Sequence, residues 1–262
     1  MSSIFFDTLT QDTTNFYLQV GFLIFSVFSF TALQFIPAHY GKFYDIKKNL
    51  PALSNRVGWM IEETPNVFIT LYYAYYFYQD SSKFNYINYF MIGFFFIHYI
   101  HRGLIFPFQL AKTKKLPLDI ILMACSFCVA NAIMQNRSIF LFSSYSWNEL
   151  NHITLVIGII LFFVGMYINI YHDYMMIKMK KNSDTYVLPY GGLFRYISAP
   201  NYFGEILEWI GYAMIVQTFS GWIFVISTIS NLLPRAIQTH RWYKTKFENY
   251  PKERKAIVPF IF

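Results

Sequence analysis

Charge is what this chain has least of. Asp, Glu, Lys and Arg make up 13% of 262 residues, against 55% hydrophobic and 22% aromatic. Soluble domains carry about 25% charged residues. The deficit excludes an ordinary soluble domain and leaves a helical membrane protein of one domain as the best class. Cysteine is almost absent: Cys125 and Cys128 stand alone in an apolar run. Their C-x-x-C spacing has neither a second pair nor a strand before it, so packing is expected rather than zinc or redox chemistry. The first residues lack a basic segment and a small-residue cleavage site, so no removable signal peptide is expected. No G-x-G-x-x-G follows a strand and no G-x-x-x-x-G-K-[ST] occurs, so Rossmann and P-loop binding are unsupported. Internal repeats and low-complexity segments are missing too.

What the chain does have is apolar stretches. Seven are long enough, or nearly so, to cross about 30 Å of hydrocarbon: 16–38, 57–78, 86–108, 118–135, 153–177, 201–217 and 222–238. The net charge of +7 sits in the loops between them, which argues against a nucleic-acid partner. Lys42, Lys47, Lys48 and Arg56 mark the first loop, Lys112, Lys114 and Lys115 the third, and Lys178, Lys180 and Lys181 the fifth. The C-terminal tail is also basic. The N-terminus, with Asp7 and Asp12, and the even-numbered loops are not; the second holds only Lys83. This alternation predicts about seven transmembrane helices in an all-α membrane protein, N-terminus outside and C-terminus cytosolic.

Polar groups inside these stretches are the candidates for function, because an intramembrane carboxylate faces a cavity or a partner. Residues 189–213 begin as a turn, with Pro189, Gly191 and Gly192. They continue as an apolar helix with Asn201, Glu205 and Glu208 on one face. Asn169 and Asp173 share a face of the fifth span. Arg102 is expected near the cytosolic end of the third span, and Tyr243 just after the seventh. Together these residues could line a pocket whose basic mouth suits an anionic soluble molecule such as a nucleotide. Deeper, Glu63 in the second span and Tyr99 in the third could meet at similar depth. A tyrosine hydroxyl backed by a carboxylate can donate to a carbonyl oxygen and stabilise an enolate. Glu62 and Glu63 point in different directions, so one of them is expected to reach Tyr99. The alternative for each group is a hydrogen bond or aromatic contact that only packs helices. His98 and His101 raise a metal reading, but no completing ligand set is visible, and no metal is expected.

Several stretches resemble the steroid 5α-reductase family. They are Glu62-Glu63-Thr64-Pro65, His98-Tyr99-Ile100-His101-Arg102, Phe127-Cys128-Val129-Ala130-Asn131, the run from Gly165 to Tyr174, the run from Pro189 to Gly211, and the tail from Phe247 to Phe262. The resemblance extends in order over nearly all the chain after about residue 50. Gly204-Glu205-Ile206-Leu207-Glu208-Trp209 is similar to the steroid-reducing branch and its plant counterpart.

The resemblance implies one transmembrane reductase domain over 1–262, with the catalytic and cofactor half from about 150 to 262. It implies NADPH, and a 3-oxo-Δ4 steroid reduced by hydride at C5 and a proton at C4. Glu63 and Tyr99 would serve the substrate carbonyl. Asn169, Asp173, Asn201, Glu205 and Tyr243 would surround the cofactor, with Arg102, Asn131 and Lys180 beside them. Lys180 stands where relatives usually carry arginine, which keeps the charge and loses the bidentate fork. Glu62, Thr239, Val187 and Met123 are further departures. Expected partners are a lipophilic steroid-like substrate and membrane lipid, in a monomer, in the endoplasmic reticulum membrane if the source is eukaryotic. Competing readings are a polyprenol or enoyl-CoA reductase, a methyltransferase of the isoprenylcysteine type that uses S-adenosylmethionine, and a sterol-binding protein without catalysis. A transporter would show repeated halves or paired broken helices.

Overall fold

A computed structural model describes residues 12–36, 43, 50–80, 84–110, 115–143, 145–181 and 186–262. Among these residues the chain forms seven α-helices: α1 Thr13–Phe35, α2 Asn55–Gln79, α3 Tyr86–Ile100, α4 Leu118–Arg137, α5 His152–Lys181, α6 Pro200–Val216 and α7 Phe219–Lys246. Local chemistry starts most of them. Asp12, Ser54, Asn85 and Thr218 each accept a backbone N–H of the first turn of α1, α2, α3 and α7. Pro200 opens α6, where a missing N–H costs nothing. Gly191 and Gly192 take φ of 92° and 49° in the turn before it, as a glycine pair allows.

Four helical segments are long and apolar enough to cross a membrane: Thr13–Phe35, Tyr86–Gln109, Leu118–Phe142 and His152–Lys180. The third and fourth apolar stretches of the sequence end in π turns, His101–Ile105 after α3 and Ser138–Phe142 after α4. The first begins two residues after Tyr99 and contains Arg102, in keeping with the tendency of π turns to sit at functional positions.

Two devices set the helix registers. Strand β1 (Ala52–Ser54) pairs antiparallel with β2 (Lys115–Pro117), Leu53 opposite Leu116. This ties the starts of α2 and α4 together, so Glu63 and Cys128, each about 12–15 Å into its helix at 1.5 Å per residue, lie at similar depth. The second device is a set of glycines. A Cβ on Gly165 of α5 would lie 2.3 Å from the Glu208 nitrogen, and one on Gly204 of α6 would lie 2.5 Å from the Asn169 nitrogen. Gly158 and Gly211 repeat the contact two turns away. Backbone-to-backbone packing of this kind presses the polar face of α5 onto that of α6. The aromatic core lies alongside, where Trp209 packs on Phe224 at 4.4 Å and on His98 at 4.4 Å.

The structure differs from expectation in two places. Helix α7 runs on to Lys246, so Tyr243 lies in its last turns instead of following the span. Those turns pack against the returning tail: the Tyr250 hydroxyl lies 2.8 Å from His240 Nδ1, and the Tyr250 ring stacks on Tyr243 at 6.3 Å. A strand, β2, does precede the helix with Cys125 and Cys128, though it is only three residues long. The basic residues Lys42, Lys47, Lys48, Lys83, Lys112 and Lys114, and Asp7, lie outside the described residues.

Candidate active site

Arg102 organises the first polar cluster. It projects from the π turn after α3 and is almost wholly buried. Its guanidinium lies 4.7 Å from the Phe106 ring centroid and 4.9 Å from that of Trp59. Its Nη1 donates to Asp173 Oδ2 at 2.9 Å, and its Nη2 is 3.9 Å from Glu205 Oε2. Asn201 Nδ2 donates to the other Asp173 oxygen at 2.9 Å. Asn169 Nδ2 donates to Glu205 Oε2 at 3.1 Å and to the Asn201 carbonyl at 3.0 Å. Five of the residues singled out in the sequence therefore form one cross-bonded unit on α5, α6 and the end of α3. Its carboxylates are acceptors, able to take hydrogen bonds from hydroxyl or amide groups of a ligand.

Tyr99 and Glu63 lie in a second group, beside Cys128 and Asn131. Cys128 Sγ approaches Glu63 Oε2 at 3.9 Å. Asn131, also expected near the cofactor, adjoins the Tyr99 hydroxyl instead of the Arg102 cluster. Among the described residues Tyr99 and Glu63 share no hydrogen bond. Tyr99 is fixed by its neighbours, with Phe95 at 4.5 Å and His98 at 4.9 Å between centroids. Glu62 points elsewhere, as adjacency on a helix requires: it is buried and its Oε1 meets no donor.

The two histidines part company. His98 Nδ1 lies 2.8 Å from Glu208 Oε1, with both side chains buried. His101 Nε2 meets the Tyr174 hydroxyl at 3.1 Å. The third member of the α6 polar face, Glu208, thus clamps α6 to α3 next to Tyr99.

The remaining two expected residues lie near the ends of α5 and α7. Lys180 is exposed and its Nζ stands 5.6 Å over the Tyr186 ring. Tyr243 is buried against Leu188 and Tyr250, with Tyr186 at 6.2 Å. Arg254 joins this aromatic group, a residue that sequence reasoning missed. It is 1% exposed, and none of its three guanidinium nitrogens has a hydrogen-bond partner among the described residues. The Tyr190 and Tyr250 rings flank it at 5.2 Å each. Burial pulls its pKa below the ordinary arginine value, with the tyrosines opposing. A charged residue in a basic tail reads as solvated, so no sequence signal marked it. Cys128 was missed because an apolar run hides a thiol that faces a carboxylate.

A family model described as 3-oxo-5-alpha-steroid 4-dehydrogenase matches residues 114–262, from α4 to the tail. Steroid 5-alpha-reductase DET2 of Solanum lycopersicum is 34% identical over 258 residues, 97% of this chain and 99% of that protein. That match reaches back across Glu63, Tyr99 and Arg102. The 3-oxo-5-alpha-steroid 4-dehydrogenase 1 of Bos taurus is 35% identical over 90% of this chain and 92% of its own. The human protein of that name is 38% identical over 79% of this chain and 80% of its own. The chain belongs to the 3-oxo-5-alpha-steroid 4-dehydrogenase family, whose named relatives are oxidoreductases.

Proposed function

We propose that this protein is an NADPH-dependent reductase of the C4–C5 double bond of 3-oxo-Δ4 steroids. The observation that carries the reading is the pairing of two polar groups in one apolar bundle. Tyr99, with Glu63 and Cys128 beside it, is a carbonyl donor among aromatic walls. The Arg102 cluster next to it presents hydrogen-bond acceptors from Asp173, Asn201 and Glu205.

The residues fit a dinucleotide phosphate. Acidic and amide groups suit ribose hydroxyls and a carboxamide. Lys180 and the unpaired Arg254 guanidinium, reached along Tyr186 and Tyr243, suit phosphate groups. The cofactor, when bound, supplies the hydride that C5 accepts. Tyr99 donates a hydrogen bond to the C3 carbonyl and stabilises the enolate oxygen. Glu63 orients the hydroxyl, and the aromatic walls exclude bulk water. A proton at C4 completes the reduction. Loop charges and helix order support seven spans with a cytosolic C-terminus, which puts Lys180 and Arg254 on the side where soluble nucleotide is found.

The test is reduction of a panel of 3-oxo-Δ4 steroids by purified protein, with NADPH or NADH, followed by mass spectrometry. A product that has gained two hydrogens, formed with NADPH in preference to NADH, is expected. Oxidation of NADPH only with polyprenols or enoyl-CoA thioesters, or no oxidation with any enone, would refute the assignment.

A further inference from the structure

Buried polar side chains continue from Tyr99 away from the Arg102 cluster, and the reaction proposed above leaves them unused. Asn131 adjoins the Tyr99 hydroxyl. One turn further along α4, about 6 Å, Gln135 Nε2 donates to Asn131 Oδ1 at 3.3 Å and to the Ser220 carbonyl at 2.9 Å. The Tyr212 hydroxyl donates to Gln135 Oε1 at 3.3 Å. Gln19 Nε2 of α1 donates to Ser220 Oγ at 2.9 Å. One turn before it comes Asn15, and then the Arg137–Asp12 ion pair, whose side chains are 21% and 25% exposed. The row thus runs from the carbonyl donor to the opposite end of the bundle.

Its four amides are fully buried, yet not all of their polar atoms are satisfied. Asn131 Nδ2, Gln19 Oε1, both polar atoms of Asn15 and Nε of Arg137 have no hydrogen-bond partner among the described residues. Asn15, Gln19, Asn131 and Gln135 are each 0% exposed. Burying an amide with an unmet donor or acceptor costs about 1–3 kcal/mol, and proteins meet such atoms with ordered water. Four α1 and α4 amides aligned at helical spacing, with unmet atoms at both ends of the row, are difficult to explain as helix packing alone.

We infer that this row holds a file of water and that the file carries to the Tyr99 end the proton that reduction consumes. The stoichiometry requires such a supply. Hydride addition at C5 converts the double bond into an enolate, and one proton must then arrive at C4, drawn from solvent. Water in the file passes that proton along O–H···O bonds, each water giving one proton and receiving another, while the amides hold the waters in line. The two hydrogens would then arrive from opposite ends of the bundle. The proton role rests on the reductase reading; the water does not.

The experiment uses the full-length protein and Gln135→Leu, which keeps side-chain bulk and removes both polar atoms. Radiolytic hydroxyl-radical labelling, with water itself as the probe, reads bound water without substrate. Tyr99 and Tyr212 should be labelled in the wild type well above the buried Phe162, and labelling should fall to that background in Gln135→Leu. With a steroid enone, kcat should drop by roughly 10², the lower end for positioned proton transfer, with KM unchanged. The solvent deuterium isotope effect on kcat should rise as proton delivery becomes limiting. Gln19→Leu, at the far end of the row, repeats the test if Gln135→Leu does not fold. Background labelling of Tyr99 and Tyr212 in the wild type would overturn the water file. Unchanged kcat and isotope effect in a folded variant would overturn the proton role. Failure of the reductase reading would show separately, as no enone reduction by wild-type protein with labelling intact, and would remove the proton role with it.

Discussion

The Arg102 cluster and the Tyr99 group share one bundle and follow opposite rules. Around Arg102, Asp173 is met on both oxygens, Asn169 donates twice, and the guanidinium is held between two rings and two carboxylates. Around Tyr99, Glu63 receives a single long contact from a thiol, Asn131 Nδ2 is unmet, and Glu62 Oε1 is unmet. A cross-bonded network is rigid and specifies one arrangement. An unsatisfied one carries a cost that a ligand or water relieves. The difference teaches that the first group is built as a frame and the second as a receptor.

The largest expected effect tests the frame. Arg102→Leu leaves the buried Asp173 and the half-buried Glu205 carboxylates without their cation, and breaking one side of a buried pair costs about 3–5 kcal/mol. Thermal unfolding in detergent should show a large drop, whereas Glu63→Gln should barely move the midpoint. Equal shifts in the two variants would erase the distinction between frame and receptor.

The next effect tests the receptor. Tyr99→Phe keeps the ring packed on Phe95 and His98 and deletes the donor. One oxyanion donor is worth roughly 10²–10³ in rate, and the loss should fall on kcat with nucleotide affinity intact. Glu63→Gln should also slow turnover. If the pair acts as a unit, the double variant is little worse than the worse single one. Near-normal reduction by folded Tyr99→Phe would remove Tyr99 from the site.

A third variant asks whether the frame depends on helix approach. Gly204→Ala drives a Cβ to within 2.5 Å of the Asn169 backbone nitrogen. Overpacking of this kind costs about 1–3 kcal/mol, and it should weaken NADPH binding together with stability because Asn169 and Asn201 move apart. Unaltered binding would show that the α5–α6 spacing is not what aligns them.

The smallest effect is local. Asn201→Ala removes one donor to Asp173. NADPH affinity should fall by about 1–3 kcal/mol, read by fluorescence titration, while steroid KM stays near the wild-type value. Unchanged NADPH affinity in folded protein would take Asn201 out of the cofactor site.

Part of this was legible without coordinates. Apolar runs and the alternating charge of the loops announced seven helices, because each signal is local and repeats along the chain. The spacing of Asn169 with Asp173, and of Asn201 with Glu205, put each pair on one face. That the two faces meet depends on Gly165 and Gly204. Glycine inside an apolar helix has several uses, so its spacing alone does not name its partner helix. The end of α7 was misjudged because Thr239–Lys246 is polar. The tail packs against those turns through Tyr250, which meets His240 and Tyr243.

The sequence by itself determined the membrane class, the helix order and the residue types able to do carbonyl and nucleotide chemistry, since these follow from composition and from periodicities within one helix. The tertiary structure decided which polar groups are satisfied. Arg102 and Arg254 are the same residue type, both buried against aromatic rings. One has two carboxylates and the other has no hydrogen-bond acceptor. Asn169 is cross-bonded and Asn131 is left with an unmet donor. A hydrogen bond between helices requires distance and direction to be set by backbones far apart in the chain. No pattern along one helix contains that information.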